Sequence, residues 1–592
     1  MNYPKSKLAW LWENMKGRHV LFILGFVGTI IYNTMQLVVP YFSGKIVDTF
    51  LSSDEAILKI NTERSYFYTL IALMIGLTIF RVFVVYITCM AFEHVSQTLL
   101  ANVRNHLFQK MQYQDMTFFS KYRTGDLMTR MTGDMDAIRH NIAWVIRAIV
   151  EAIVLYSAVS IYFLMLSWKL ALAILILSPL ILFIITRFKK EVAPMHTLLR
   201  EKFSVLNTNA QENISGNKVI KAFAREDYEI NKFDETNIDY KDTNIKTQLT
   251  WVKYFPFVET CANSLPIILL LVGGLFIING ELTMGEYVSF SGLIWAISNP
   301  MRMLGNILNE FQRFSAASDK VMELYYAEPA IVDAPDAIAH PEPLKGKIEF
   351  KNVSFIYNDG TDKVLNNISF TVNPGETVAI MGETGCGKTS LIQMIPRFYE
   401  PTSGEVLVDG INVNKYKLTD LRKSIGLANQ DVLLHSDTIG GNIAYGVSKL
   451  PKEEIIKFAK FSAADDFISH MPDGYETIIG ERGVGLSGGQ KQRISLARAL
   501  AIKPSILILD DTTSAVDMET EKEIQHSLNS LDFNCTKLII AQRISSTRNA
   551  DNIIILKDGS ILEQGTHDEL VAKKGYYYEL VCLQENSVKE AM

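Results

Sequence analysis

Six long apolar runs in the first half of the chain constrain its fold more than any other feature. They lie near 19–42, 67–92, 141–166, 168–189, 254–279 and 284–308. Each approaches or exceeds the roughly 20 residues of helix that cross the hydrocarbon core of a bilayer. Inside that core every backbone polar group must be satisfied within the segment, so such runs specify helices. Their connections alternate in length: the one at 52–65 is modest, the turn at Ser167-Trp168-Lys169 is tight, and Asn279 to Thr283 is short. By contrast, 93–140 and 190–253 are long, polar and helical in pattern, and carry Arg104, Lys110, Arg123, Arg130, Lys190, Lys218 and Lys221. Basic loops stay on the cytosolic side, which puts both long connections and both termini in the cytosol of a cell-membrane protein.

At 592 residues the chain exceeds what one core organises, so at least two domains are expected. The boundaries read from the sequence are an interfacial helix over 1–18, a six-helix membrane domain over 19–327, a linker over 328–345 and a second domain over 346–592. Residues 1–18 are amphipathic, with Trp10, Leu11 and Trp12 among Lys5, Lys7, Lys16 and Arg18, which suits the headgroup layer rather than a cleaved leader. A net charge of −6 gives no argument for a nucleic-acid partner. The five cysteines lie far apart without metal-ligand spacing, as expected on a reducing cytosolic side.

Charges at membrane depth are costly and mark candidate functional positions. Arg81, Arg147, Glu151 and Glu259 qualify. Arg147 and Glu151 are spaced i,i+4 and are expected to pair along one helix. For Glu259 and Arg81 two readings stand: a salt bridge between helices, or, for Glu259, a place lining a cavity where it attracts cationic amphiphiles.

The second half has the alternating strands and helices of an α/β domain. A linker with four prolines between Glu328 and Pro343 stops the preceding helix. Thr377-Val378-Ala379-Ile380-Met381 reads as a strand that runs into Gly382-Glu383-Thr384-Gly385-Cys386-Gly387-Lys388-Thr389, with Ser390 opening a helix. Glycines in that spacing let backbone N–H groups converge on phosphate oxygens, Lys388 adds a full positive charge, and Thr389 offers a hydroxyl to magnesium. Cys386 is read as a small, tolerated loop residue. Further on, Ile506-Leu507-Ile508-Leu509 leads into Asp510 and Asp511, a buried strand ending in acid. Together the two motifs hold a nucleoside triphosphate and its Mg2+. Tyr357 could stack on an adenine ring or be an ordinary strand aromatic.

Leu486-Ser487-Gly488-Gly489-Gln490, followed by Lys491-Gln492-Arg493, resembles the signature of ATP-binding cassette (ABC) transporters. Six membrane helices before one cassette resemble the half-transporters of the multidrug and lipid A exporter type. Phe118-Phe119 through Arg123-Thr124-Gly125-Asp126-Leu127 and Lys221-Ala222-Phe223-Ala224-Arg225-Glu226 resemble the two coupling regions. The resemblance implies ATP and Mg2+ as cofactors and roles for several residues. Tyr357 is matched to the adenine-stacking aromatic, Gln430 and Asp510 to magnesium contacts, and Ser514-Ala515-Val516-Asp517 to the loop between cassettes. Gly480-Glu481-Arg482-Gly483 is matched to the segment facing the coupling helices. Two cassettes clasp two ATP molecules in this family, so Ser487, Gly488, Gly489 and Gln490 would complete a partner's site.

Two positions depart from the family pattern. Asp511 stands where Glu is usual, and Gln542 stands where His is usual. Losing one methylene shortens reach by about 1.5 Å. Glutamine can hydrogen-bond to a γ-phosphate but carries neither the charge nor the proton of histidine. The pattern implies the degenerate-site half of a heterodimer, whose other half-transporter has Glu and His. A homodimer with slow hydrolysis and a nucleotide-gated channel or regulatory protein are the alternatives. The expected cargo is a lipophilic or amphipathic small molecule, a lipid or a peptide. No peptidase domain is expected ahead of the first span, which weakens the expectation of a leader-processing role.

Overall fold

A computed structural model describes residues 6–51, 63–340, 343–357, 360, 362–447, 449–480 and 483–591. Two compact units result: Met1–Gln112 with Thr124–Ala327, and Tyr113–Arg123 with Glu328–Met592. Most of the connection at 52–65 lies outside the described residues, as do Glu481 and Arg482 of the segment matched to the coupling-helix contact.

The elements of the first unit, among the described residues, are all helices. Among the described residues five helices are long and apolar enough to cross a membrane: His19–Leu51, Arg64–Gln112, Thr124–Leu166, Trp168–Ser215 and Glu226–Ile278. At 1.5 Å per residue, the 49 residues of Arg64–Gln112 reach about 73 Å, far beyond a hydrocarbon core of ~30 Å. The apolar run at 67–92 and the polar helical pattern that follows it are therefore one continuous rod. Its outer face exposes Ile79, Val82 and Phe83, as a lipid-facing surface does.

The sixth run is helical, over Met284–Leu293 and Trp295–Tyr325, but is not among the five apolar spans. Protein rather than lipid packs against its first turns, and this explains its composition. A Cβ on Gly285 would collide with the Gly44 carbonyl oxygen and the Asp48 carboxylate. The Asp48 carboxylate accepts from Gly285 N and Thr283 Oγ1, each at 2.7 Å, and Ser289 Oγ donates to Pro40 O at 3.0 Å. Small and hydroxyl residues permit this close approach and lower the apolar signal.

The Arg147–Glu151 pair does not form. Arg147 Nη1 lies 3.0 Å from Cys89 Sγ, while Glu151 Oε2 accepts from Tyr32 Oη at 3.0 Å. Residues four apart share a face, yet each side chain here finds its partner on a neighbouring helix.

In the second unit, Asp115 caps the short helix Met116–Lys121 by accepting from Phe118 N at 3.1 Å, and it also accepts from Ala330 N at 2.6 Å. Burial pushes its carboxyl up, but bonds from Thr117, Ala330 N and Phe118 N outweigh this and hold it below the usual range. A depressed carboxylate stabilises the fold at neutral pH and loses that contribution as pH falls through its folded value. Asp115→Ala should cost about 1 kcal/mol, read as a lower Tm at pH 7, with the gap from wild type narrowing in acid below the carboxylate range.

Among the described residues ten strands form two sheets. β1 (Ile348–Phe355), β2 (Leu365–Val372), β4 (Ser403–Val408) and β5 (Ile411–Asn412) make an antiparallel sheet in the order β2-β1-β4-β5. The larger sheet comprises β3 (Thr377–Gly382), β6 (Ile425–Ala428), β7 (Ile506–Asp510), β8 (Thr536–Ile540), β9 (Asn552–Lys557) and β10 (Ser560–Gly565). Its order is β10-β9-β3-β8-β7-β6, parallel except at β10. All five residues of β7 are buried, as a central parallel strand covered on both faces requires.

Candidate functional site

Register brings the nucleotide motifs together. Ile380 of β3 pairs with Ile540 of β8, and Ile540 pairs with Asp510 of β7. The phosphate loop, Gln542 and Asp511 therefore leave the same edge of three adjacent parallel strands, where open α/β sheets bind ligands. β6 joins that edge through its Ala428–Leu509 pairing, and exposed Gln430 follows it on the same side.

The phosphate loop closes onto itself. Lys388 Nζ lies 2.8 Å from Gly382 O and 2.7 Å from Glu383 O, which holds the ammonium inside the ring of backbone. Gly385 and Gly387 have φ of +86° and +99°. A Cβ on Gly387 would stand 2.8 Å from the Val364 carbonyl oxygen, so only glycine suits this turn. Thr384 lies in the loop between Glu383 and Gly385. Cys386 is buried with Sγ 3.8 Å from Lys388 Nζ, a packing position beside the ammonium. Ser390 Oγ and Tyr357 Oη share a hydrogen bond of 2.7 Å. The Tyr357 ring meets Phe355 and Tyr399 edge-on and remains partly open, so both roles read for it from sequence are compatible with its place.

Thr389 Oγ1 donates to Asp510 Oδ2 at 3.0 Å, linking the loop helix to β7. Burial pushes the Asp510 carboxyl up, and the Asp511 charge adds to this, while Thr389 and Lys388 oppose it. A buried carboxylate beside a hydroxyl, held at a raised pKa, suits a hard divalent cation that would relieve its desolvation. The residues present fit Mg2+ with ATP.

Asp511 adopts φ of +48°, unusual outside glycine, with its N–H donating to Ile540 O at 3.0 Å. Burial raises its pKa too, against the pull of Arg543. Gln542 Nε2 lies 3.4 Å from Asp511 Oδ2, so the two residues singled out from the sequence meet each other.

The signature residues form a separate cluster. Ser487 caps the helix Gly488–Ala501, and Ser487 and Gln490 satisfy each other's backbone N–H groups. Gly489 packs so closely that a Cβ would lie 2.7 Å from the Ala515 carbonyl oxygen. Gln492, one turn on, donates to Asp511 O and Ser514 Oγ at 3.3 and 3.2 Å and accepts from Ala515 N at 3.2 Å. Nothing in the sequence marked Gln492 beyond its place after the signature. It ties the signature helix to the strand end that carries Asp511.

In the helical unit, Glu259 lines a cavity of about 320 Å³ with Phe188, Trp251, Tyr254, Phe255 and Arg302. Its Oε2 lies 2.9 Å from Arg302 Nη2. A cationic headgroup would therefore compete with Arg302 for that carboxylate. Arg81 is half-buried, and its Nε has no hydrogen-bond partner among the described residues.

A bundle of membrane-length helices joined to a phosphate-loop domain defines an ATP-driven membrane transporter. The model of the ABC transporter transmembrane region matches residues 22–301, and that of the ABC transporter matches residues 365–514. An uncharacterised ABC transporter ATP-binding protein, YknU of Bacillus subtilis, is 39% identical, covering 82% of this chain and 83% of its own. The ATP-dependent lipid A-core flippase of Syntrophus aciditrophicus is 37% identical, over 84% of this chain and 82% of its own. Among solved structures, a bacterial Atm1-family ABC exporter with ATP bound superposes with a TM-score of 0.81 at 25% identity, covering 96% of this chain and 99% of that one. The chain belongs to the ABC transporter family. It is an exporter-type half-transporter with an ATP-hydrolysing cassette, and such exporters work as dimers.

Proposed function

We propose that this chain is the degenerate-site subunit of a heterodimeric exporter that moves a lipophilic, amphipathic or peptide substrate outward across the cell membrane. Both termini and the cassette lie in the cytosol. The reading rests on the contact between Asp511 and Gln542 within an otherwise complete ATP site. Phosphate loop, Asp510 and signature are all retained, so ATP is held. The carboxylate that would orient the attacking water is short, and its neighbour cannot supply a histidine's charge. The signature, built to spare its glycines from clashes, completes the partner's hydrolytic site. ATP binding closes the cassettes, and hydrolysis at the partner's site resets them, a two-state cycle biased by nucleotide.

The aromatic cavity supports a bulky apolar or amphipathic substrate, and the Glu259–Arg302 pair leaves it without a free carboxylate. The reading is tested by purifying the chain alone and with any co-purifying half-transporter. Alone it should bind Mg-ATP and turn it over slowly. Brisk hydrolysis by a verified homodimer would refute the heterodimer assignment. ATP-dependent uptake into inside-out vesicles separates a pump from a nucleotide-gated channel.

A further inference from the structure

We infer that the C-terminal helix Tyr576–Ala591 clamps the nucleotide site, and that Gln584 is the positioning residue for the loop carrying Gln542. One side-chain amide bridges two backbone groups on either side of Arg543. Gln584 Nε2 donates to Gln542 O at 2.9 Å, and Gln584 Oε1 accepts from Ile544 N at 2.9 Å. A planar amide with both ends engaged sets position and orientation together. From the other side, Arg543 donates to Ser514 O at 3.1 Å and Val516 O at 3.3 Å, and lies 3.5 Å from buried Glu521. The segment 542–544 is thus gripped from two directions, and Gln584 holds the backbone of Gln542 itself.

The same helix reaches the phosphate loop. Tyr576 Oη donates to Glu383 Oε1 at 3.1 Å. Eight residues of helix, about 12 Å, separate Tyr576 from Gln584, which lets one rigid element touch both walls of the site. The helix is firmly seated. Glu563 on β10 accepts from Tyr576 N at 2.8 Å and Tyr577 N at 3.1 Å, while buried Tyr577 and Val581 pack with Ala379 and Met381 of β3. Small displacements of this helix would therefore move Gln542 relative to the phosphate loop.

Gln542 stands beside Asp511, on the side where the γ-phosphate of a bound triphosphate lies in the site assignment above, and the inference rests on that assignment. ADP lacks this group. Loss of the clamp should therefore weaken ATP while sparing ADP, which a merely structural role would not do.

The experiment measures Mg-ATP and Mg-ADP affinities of the full-length chain, with any co-purifying partner, for Gln584→Leu, Gln584→Glu and Gln542→Ala. Gln584→Glu is nearly isosteric and keeps the acceptor for Ile544 N, but sets a carboxylate against the Gln542 carbonyl. Both Gln584 variants should weaken ATP roughly 3- to 10-fold, the scale of a hydrogen bond or two, and leave ADP within about twofold. Equal weakening of ATP and ADP, or no change in either, overturns the clamp if Gln542→Ala shifts the ratio. If Gln542→Ala leaves the ratio unchanged, the γ-phosphate assignment falls, and the clamp falls with it.

Discussion

The double substitution Asp511→Glu with Gln542→His should raise ATP turnover by this chain about 10²-fold, because a catalytic group misplaced by ~1 Å loses about that factor. Glu restores the missing methylene, and His restores a side chain that can carry positive charge near the γ-phosphate. The two residues touch at 3.4 Å, so their effects should couple, and each single change should recover far less than the pair. The parts that bind ATP are already in place. Lys388 sits inside its loop, and Thr389 is bonded to Asp510. Steady-state phosphate release by the purified chain, with ATP affinity measured in parallel, checks the result. Unchanged turnover at unchanged affinity would show that something other than these two positions limits the site.

Gly489→Val should have the opposite effect on the assembled transporter, lowering total hydrolysis about 10²-fold, on the scale of misplacing by an ångström the signature that this chain presents to the partner's site. A side chain there meets the backbone oxygen of Ala515 at 2.7 Å from its first carbon, so the signature must move. Asp511→Asn in the same complex should change hydrolysis by less than about twofold, since under the proposed assignment the work is done at the other site. The contrast is measured as phosphate release by the complex with each variant. A large loss with Asp511→Asn and a small one with Gly489→Val would reverse the roles of the two sites.

Much of the architecture could be read from residue patterns because the two domains obey strong and simple constraints. Lipid demands long apolar helices, and the five plainest runs appear as membrane-length helices. A phosphate loop needs glycines at particular backbone angles, and Gly385 and Gly387 have them. The sixth run shows where pattern weakens. Gly285 and Ser289 face other helices, so that segment answers to packing rather than to lipid, and its apolar signal fades. The expected Arg147–Glu151 pair failed for a related reason, since helical spacing says which residues share a face but not what the next helix offers.

The site divides along the same line. Lys388, Thr389, Asp510, Asp511 and the signature residues sit in contiguous motifs whose chemistry is local, and Gln542 stood out by departing from a pattern. Gln492, Tyr576 and Gln584 lie in no motif of their own, and their contacts span 19, 193 and 42 residues of chain. The sequence by itself determined that membrane helices precede one cassette with a phosphate loop, and it singled out Asp511 and Gln542 as expected departures from the pattern the resemblance implies. Only the tertiary structure decided that those two residues touch, that Arg302 occupies Glu259, and that the last helix holds the loop of Gln542. Backbone requirements of lipid and phosphate act on neighbouring residues and are written locally. Side-chain partners are chosen by the strand order and helix packing that bring distant segments together.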